Sequence, residues 1–67
     1  MKLTIYTQKD CPWCERAKGL AKLVGHDYVE VNQKHEDWPT VPYILMDGSP
    51  VGGFMEYSQW CRKHSIL

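Results

Sequence analysis

Two cysteines three residues apart, in the run Asp10-Cys11-Pro12-Trp13-Cys14-Glu15, are the residues of this chain best suited to chemistry. They stand where an alternating run, Lys2-Leu3-Thr4-Ile5-Tyr6-Thr7, gives way to apolar residues at helical spacing: Trp13, Ala17, Leu20, Ala21 and Val24, closed by Gly25. Pro12 suits the first helical position, where a missing N–H has no partner to lose. Cys11 is thereby expected at a helix N-terminus, where unpaired N–H groups and the positive end of the helix dipole favour a thiolate over a thiol. Cys14 falls on the same helical face one turn further in, placed to attack a mixed disulfide formed at Cys11 and release the product. The pair reads as a nucleophile and its resolving thiol.

The same spacing is half of a zinc site, and Cys61 and His64, in Cys61-Arg62-Lys63-His64, could complete it. A zinc-stabilised binding module using Cys11, Cys14, Cys61 and His64 is therefore the alternative from another class. The proline between the thiols and their strand-to-helix setting favour redox work. Cys61 otherwise reads as a small apolar residue on the inner face of a last helix, and His26, His35 and His64 as solvent-facing.

The elements that must position the pair follow from the rest of the chain. The run from His26 to Asn32 alternates as a second strand, joined to the first by a helix, which implies parallel pairing with a right-handed crossover. Gln33 to Asp37 has room for a turn or two of helix at most before Trp38-Pro39 ends it. So short a segment cannot cover the second face of a sheet, and Trp38 is expected to shield it instead. Tyr43-Ile44-Leu45-Met46 reads as a third strand, with Asp47-Gly48 as the hairpin turn into Ser49-Pro50-Val51-Gly52. Phe54, Tyr57, Trp60, Cys61 and Ile66 suit one face of a last helix ending near His64. The expectation is one small α/β domain over residues 1–67.

Formal net charge is zero and the charges are dispersed, which supports neither a nucleic-acid nor a membrane partner. No segment approaches the roughly 20 apolar residues of a membrane span, and the start lacks the apolar core of a secretion signal. Three cysteines cannot form a fully paired framework, so a reducing cytoplasm is the expected location.

Tyr6-Thr7, Cys11-Pro12-Trp13-Cys14, Thr40-Val41-Pro42 and Gly52-Gly53-Phe54 stand in the order and context of the glutaredoxins. The chain resembles that family over essentially its whole length, and looks most like the compact bacteriophage type. The resemblance implies a thioredoxin fold: a four-stranded mixed sheet in the order 2-1-3-4, helices on both faces with a shortened middle helix, and a cis peptide at Val41-Pro42. It also implies a monomer that reduces protein disulfides and glutathione mixed disulfides with glutathione as electron donor and without a metal, in the cytoplasm or, if phage-encoded, the host's. Carried over residue by residue, Cys11 is the nucleophile and Cys14 resolves. Lys9, Trp13, Val41, Pro42, Gly53, Phe54 and Met55 would contact glutathione. Lys9 lies one position later than the family's usual groove lysine, and Met55 stands where an acid or other polar residue commonly receives the glutamyl amine. Ribonucleotide reductase is the protein substrate the resemblance suggests. A redoxin recharged by thioredoxin reductase is the alternative within the same chemistry, while Pro12 and Cys14 speak against an iron–sulfur cluster shared between subunits.

Overall fold

The computed structural model describes residues 2–64. Strand β1, Lys2–Tyr6, sends Leu3 and Ile5 to one face, where both are fully buried. The chain then turns through Asp10, at φ 59°, into helix α1, Pro12–Val24. Gly25 ends that helix in the left-handed region, at φ 79°, with its N–H turned back to the Ala21 and Lys22 carbonyls. Strand β2, Asp27–Val31, pairs parallel with β1 as the crossover requires. Strands β3, Tyr43–Met46, and β4, Ser49–Gly52, form an antiparallel hairpin, with β3 against the other edge of β1. The sheet order is therefore β2-β1-β3-β4, as the resemblance implies. Asp47 at φ 49° and Gly48 at φ 85° give the hairpin the two left-handed residues of a type I′ turn. Helix α2, Phe54–Lys63, ends at His64; Ile66, expected on its inner face, lies outside the described residues.

Both helices pack on one face of the sheet. Leu3, Ile5, Ile44 and Met46 from the strands meet Ala17 and Ala21 of α1 and Tyr57 and Cys61 of α2. The two alanines present little volume and let α1 sit close to the sheet; Tyr57, fully buried, fills the space between the layers. A phenol so deep needs a polar partner, and His26 Nδ1 lies 2.6 Å from its hydroxyl. Burial raises the pKa of both Tyr57 and Cys61, so both stay protonated in the core.

The opposite face departs from expectation. No middle helix forms: residues 32–42 run as turns and irregular backbone. The local reason is His35, whose Nδ1 takes the Asp37 N–H at 3.0 Å while its carbonyl takes the Trp38 N–H at 3.2 Å. Pro39 then keeps Trp38 out of the helical region. The helices consequently lie on one face only, and side chains cover the other. Trp38 stacks on Tyr43 with ring centroids 5.2 Å apart and planes 14° from parallel. His35 closes the patch, 4.8 Å from the ring centroids of both Tyr6 and Tyr43. Trp38 thus shields the face, half-buried, but shares the task.

Two of the three histidines read as solvent-facing are therefore packed, and only His64 is exposed, its ring stacked on Trp60 at 4.0 Å. His26 has a consequence for stability. Burial lowers its pKa below the ordinary 6.5, so the folded state prefers the neutral imidazole. With the unfolded chain binding more protons, stability is whole above about pH 6.5 and declines as pH falls below it. Glu30, whose carboxyl is held below its usual 4.5 by the Thr7 hydroxyl and then by Lys18, adds its own loss only at lower pH. The urea midpoint should fall between pH 7 and pH 5.5, and His26→Gln should flatten that dependence; an equal slope in both proteins would remove His26 as the cause.

Candidate active site

Three local features build the site. The backbone leaving β1 is fixed by Thr7, whose N–H bonds to Val31 O at 2.8 Å and whose buried hydroxyl donates to Glu30 Oε2 at 2.8 Å. Asp10 turns the chain, and Pro12 starts α1. Cys11 is left as the N-cap in extended conformation, and its sulfur takes the place of a capping oxygen by accepting the Cys14 N–H at 3.1 Å. Cys11 and Cys14 are joined as a disulfide, with Cα atoms 5.2 Å apart. The two sulfurs are unequal: Cys14 is 1% exposed, whereas Cys11 is partly open to solvent. On reduction, the N–H aimed at Cys11 and the helix dipole behind it favour a thiolate at the outer position.

A second set of contacts holds α1 in place beneath the pair. Lys18, one turn after Cys14, bonds to Glu15 at 2.6 Å and to Glu30 at 3.2 Å, tying the helix to β2. The Glu15 hydrogen bond, then that of Glu30, raises the Lys18 pKa. None of this network was read from the sequence; the Glu15–Lys18 spacing was the available signal.

The structure gathers most of the remaining expected residues. Trp13, Val41, Pro42, Gly53, Phe54 and Met55 line one groove of about 440 Å³. Cys11 Sγ lies 4.0 Å from Val41 O, and Val41-Pro42 is cis. Trp13 closes one end, its ring 5.5 Å from that of Phe54, with the Arg16 guanidinium 4.4 Å above its centroid. Lys9 is not in this groove: it lines a second cleft together with Asp10, Cys11, Glu15 and Glu30. Trp38, Thr40 and Glu56 complete the groove. The zinc alternative is not assembled either. Cys61 is buried in the core about seven residues, roughly 10 Å, along α2 from Phe54. Among the described residues no group of three or more His, Cys, Asp or Glu could hold a metal ion.

The start of α2 depends on a glycine. Gly53, the N-cap, has no side chain to offer, and Glu56 reaches back so that its Oε1 accepts the Gly53 N–H at 2.8 Å. Gly52 has φ 123°, and a Cβ there would lie 2.8 Å from Glu56 Cγ. Gly52→Ala should therefore displace the cap, strain the backbone and destabilise the fold by about 1–3 kcal/mol. Gly19→Ala, on the exposed side of α1 with nothing within 4 Å of the new methyl, should stabilise it by about 0.5–1 kcal/mol. Chemical denaturation distinguishes the two signs.

Comparison with known proteins agrees with this geometry. The family model described as Glutaredoxin matches residues 3–51. Glutaredoxin 3 of Escherichia coli strain K12 is 35% identical over 60 residues, covering 73% of this chain and 72% of its own. The solved structure of reduced Escherichia coli glutaredoxin superposes with a TM-score of 0.78 at 26% identity, over 100% of both chains. The buckwheat glutaredoxin–glutathione complex shares the fold, with a TM-score of 0.75 at 20% identity over 96% of this chain and 71% of that one. With its Cys11–Cys14 pair set at the head of α1 in a thioredoxin-like fold, the chain belongs to the glutaredoxin family of thiol–disulfide oxidoreductases.

Proposed function

We propose that this chain reduces protein disulfides and glutathione mixed disulfides, with glutathione as its electron donor. The observation that carries the reading is the inequality of the two sulfurs: one partly exposed at a helix N-terminus beside an open groove, the other buried behind it. The Cys11 thiolate attacks a substrate disulfide, forms a mixed disulfide and expels the first thiolate. The Cys14 thiolate then attacks the Cys11 sulfur, expels the second thiolate and leaves the Cys11–Cys14 disulfide. Two electrons pass to the substrate, and two glutathione thiols return them in the same two steps. Cys11→Ser should abolish every activity. Cys14→Ser should still exchange glutathione mixed disulfides but stall on protein disulfides, because nothing resolves the intermediate. Equal loss in both variants on the small substrate would contradict these roles.

Support for glutathione comes from backbone groups. Val41, beside Pro42 and the Cys11 sulfur, has a peptide unit with no backbone partner among the described residues, suited to strand-like pairing with the cysteinyl part of the tripeptide. The first-turn N–H groups of α2, after Gly53 and Phe54, suit the glutamyl carboxylate. Trp13 flanks the groove, and Lys9 lines instead the cleft that holds Cys11. The glutamyl amine finds a thioether at Met55, and Glu56 already caps its own helix. A missing hydrogen bond to a charged group weakens recognition by roughly 10- to 150-fold. Glutathione should therefore work with a high KM, and Met55→Asp should lower that KM at least several-fold. An unchanged KM together with a sharp rise in Glu56→Gln would make Glu56 the acceptor. If neither substitution matters and thioredoxin reductase with NADPH reduces the oxidised protein efficiently, the donor is thioredoxin reductase.

A reducing cytoplasm, the host's if the chain is phage-encoded, and ribonucleotide reductase as one substrate of a monomeric enzyme belong to the same proposal.

A further inference from the structure

The cleft that holds Cys11 also carries three carboxylates, Asp10, Glu15 and Glu30, against one ammonium, Lys9. Negative charge near a thiolate opposes it, so such a lining works against the helix N-terminus that favours the ionised sulfur. The other elements around Cys11 add no cation to the lining: Val41 presents its carbonyl at 4.0 Å, and Glu56 of α2, in the groove of Val41, is engaged by the Gly53 N–H. What offsets the acids is a residue outside the lining. Lys18 Nζ stands 2.6 Å from Glu15 Oε2 and 3.2 Å from Glu30 Oε2, and Glu30 Oε2 also accepts the Thr7 hydroxyl at 2.8 Å. The Lys18 side chain is 16% exposed, against 73% for Glu15 and 38% for Glu30, so water screens the ammonium less than the acids it bridges.

We propose that Lys18 is a positioning residue for the disulfide exchange: by bridging the Glu15 and Glu30 carboxylates it cancels negative charge that the cleft would otherwise set against the Cys11 thiolate. The inference rests on the dithiol reading above and adds a residue to it. Helix geometry carries it. Cys11, Glu15 and Lys18 stand at i, i+4 and i+7, along one stripe of α1, and the Glu15 N–H bonds to Cys11 O at 3.2 Å, so Glu15 follows Cys11 by one turn and Lys18 follows Glu15 by another. Glu30 reaches the same ammonium from β2. One lysine thus serves two acids that line the cleft of the reacting sulfur, and neither acid has a second cationic partner among the described residues. The chemistry is that already given, and Lys18 touches none of its atoms. Its effect falls on the fraction of Cys11 present as thiolate, and hence on the rate of the first attack below the titration midpoint of that sulfur.

The test uses the full chain, reduced, and follows alkylation by iodoacetamide across pH, with the modified residue identified by mass spectrometry. Only a thiolate reacts, and Cys14 and Cys61 are buried. Lys18→Met should raise the Cys11 midpoint by about 0.3–1 pH unit, the range Coulomb's law gives for one positive charge lost roughly 10 Å away. Below both midpoints its rate should fall about two- to tenfold; above both it should equal or slightly exceed the parent's, because a more basic thiolate is the better nucleophile. A lysine that only braced the helix would not produce that crossing. Glu15→Gln added to Lys18→Met should undo about half of the rise or more. Lys18→Arg should keep the parent's midpoint, and Lys22→Met, one turn further along α1, should move it much less than Lys18→Met. Should Lys18→Met fail to fold, Glu15→Gln alone, at an exposed side chain, carries the test by lowering the midpoint about 0.3 pH unit or more. An unmoved midpoint in the variant used, a rate loss of the same size at every pH, or a raised midpoint that Glu15→Gln leaves in place overturns the inference and leaves the dithiol reading standing. If Cys11 is not the thiol alkylated, or titrates in the parent near the ordinary value of about 8.5, the dithiol reading itself falls.

Discussion

A sulfur caps a helix in this protein, and the rest of the structure serves that contact. The Cys14 N–H reaches Cys11 Sγ only because Pro12 starts α1 one residue later and Asp10 turns the chain into it from the end of β1. Thr7, buried and bonded to both Val31 and Glu30, fixes that end of the strand; Lys18 fixes the helix to β2. Exposed ion pairs contribute little on their own, about 0–1 kcal/mol. The network matters here as a set of positional restraints. With the helix held, one sulfur is partly open to solvent and the other is sealed behind it, which is the asymmetry that two-step disulfide exchange requires.

Economy elsewhere shapes the groove. A sheet with helices on one face must still keep water from the other, and the described residues do this with rings: Tyr6 and Tyr43 from neighbouring strands, His35 and Trp38 from the turn segment. Aromatic pairs contribute about 0.5–1.5 kcal/mol beyond the area they bury, and three such contacts can hold a segment that has no helix of its own. The segment so held is the one that carries Thr40, Val41 and Pro42 to Cys11.

Most of the scaffold was legible because its signals are local. Pro12, Gly25, Asp47-Gly48 and the alternation of β1 and β3 each specify backbone shape within a few residues, and every strand and helix that forms lies close to where those signals put it. The cis Val41-Pro42 bond came from the family resemblance; nothing in the local pattern would have asked for it. What escaped is what joins distant positions. His26 meets Tyr57 across 31 residues and Thr7 meets Glu30 across 23. The missing middle helix turned on whether one His35 ring nitrogen would take the Asp37 N–H, a choice that composition does not record. At the site, Cys11 and Cys14 were plain from spacing. Lys9, named from the resemblance, lines the cleft that also holds Cys11 and not the groove of Val41 and Phe54, a division that spacing alone does not disclose.

Trp38 belongs at once to the shield over Tyr43 and to the wall of the groove. Whatever packs on its open side also clamps it to the strand below, so occupancy and local opening of that face are linked by mass action. The amides of β3 and of Trp38, Thr40 and Val41 then report the groove's state through the rate at which they exchange with deuterium, a slow clock set by a tryptophan several residues removed from either reacting sulfur.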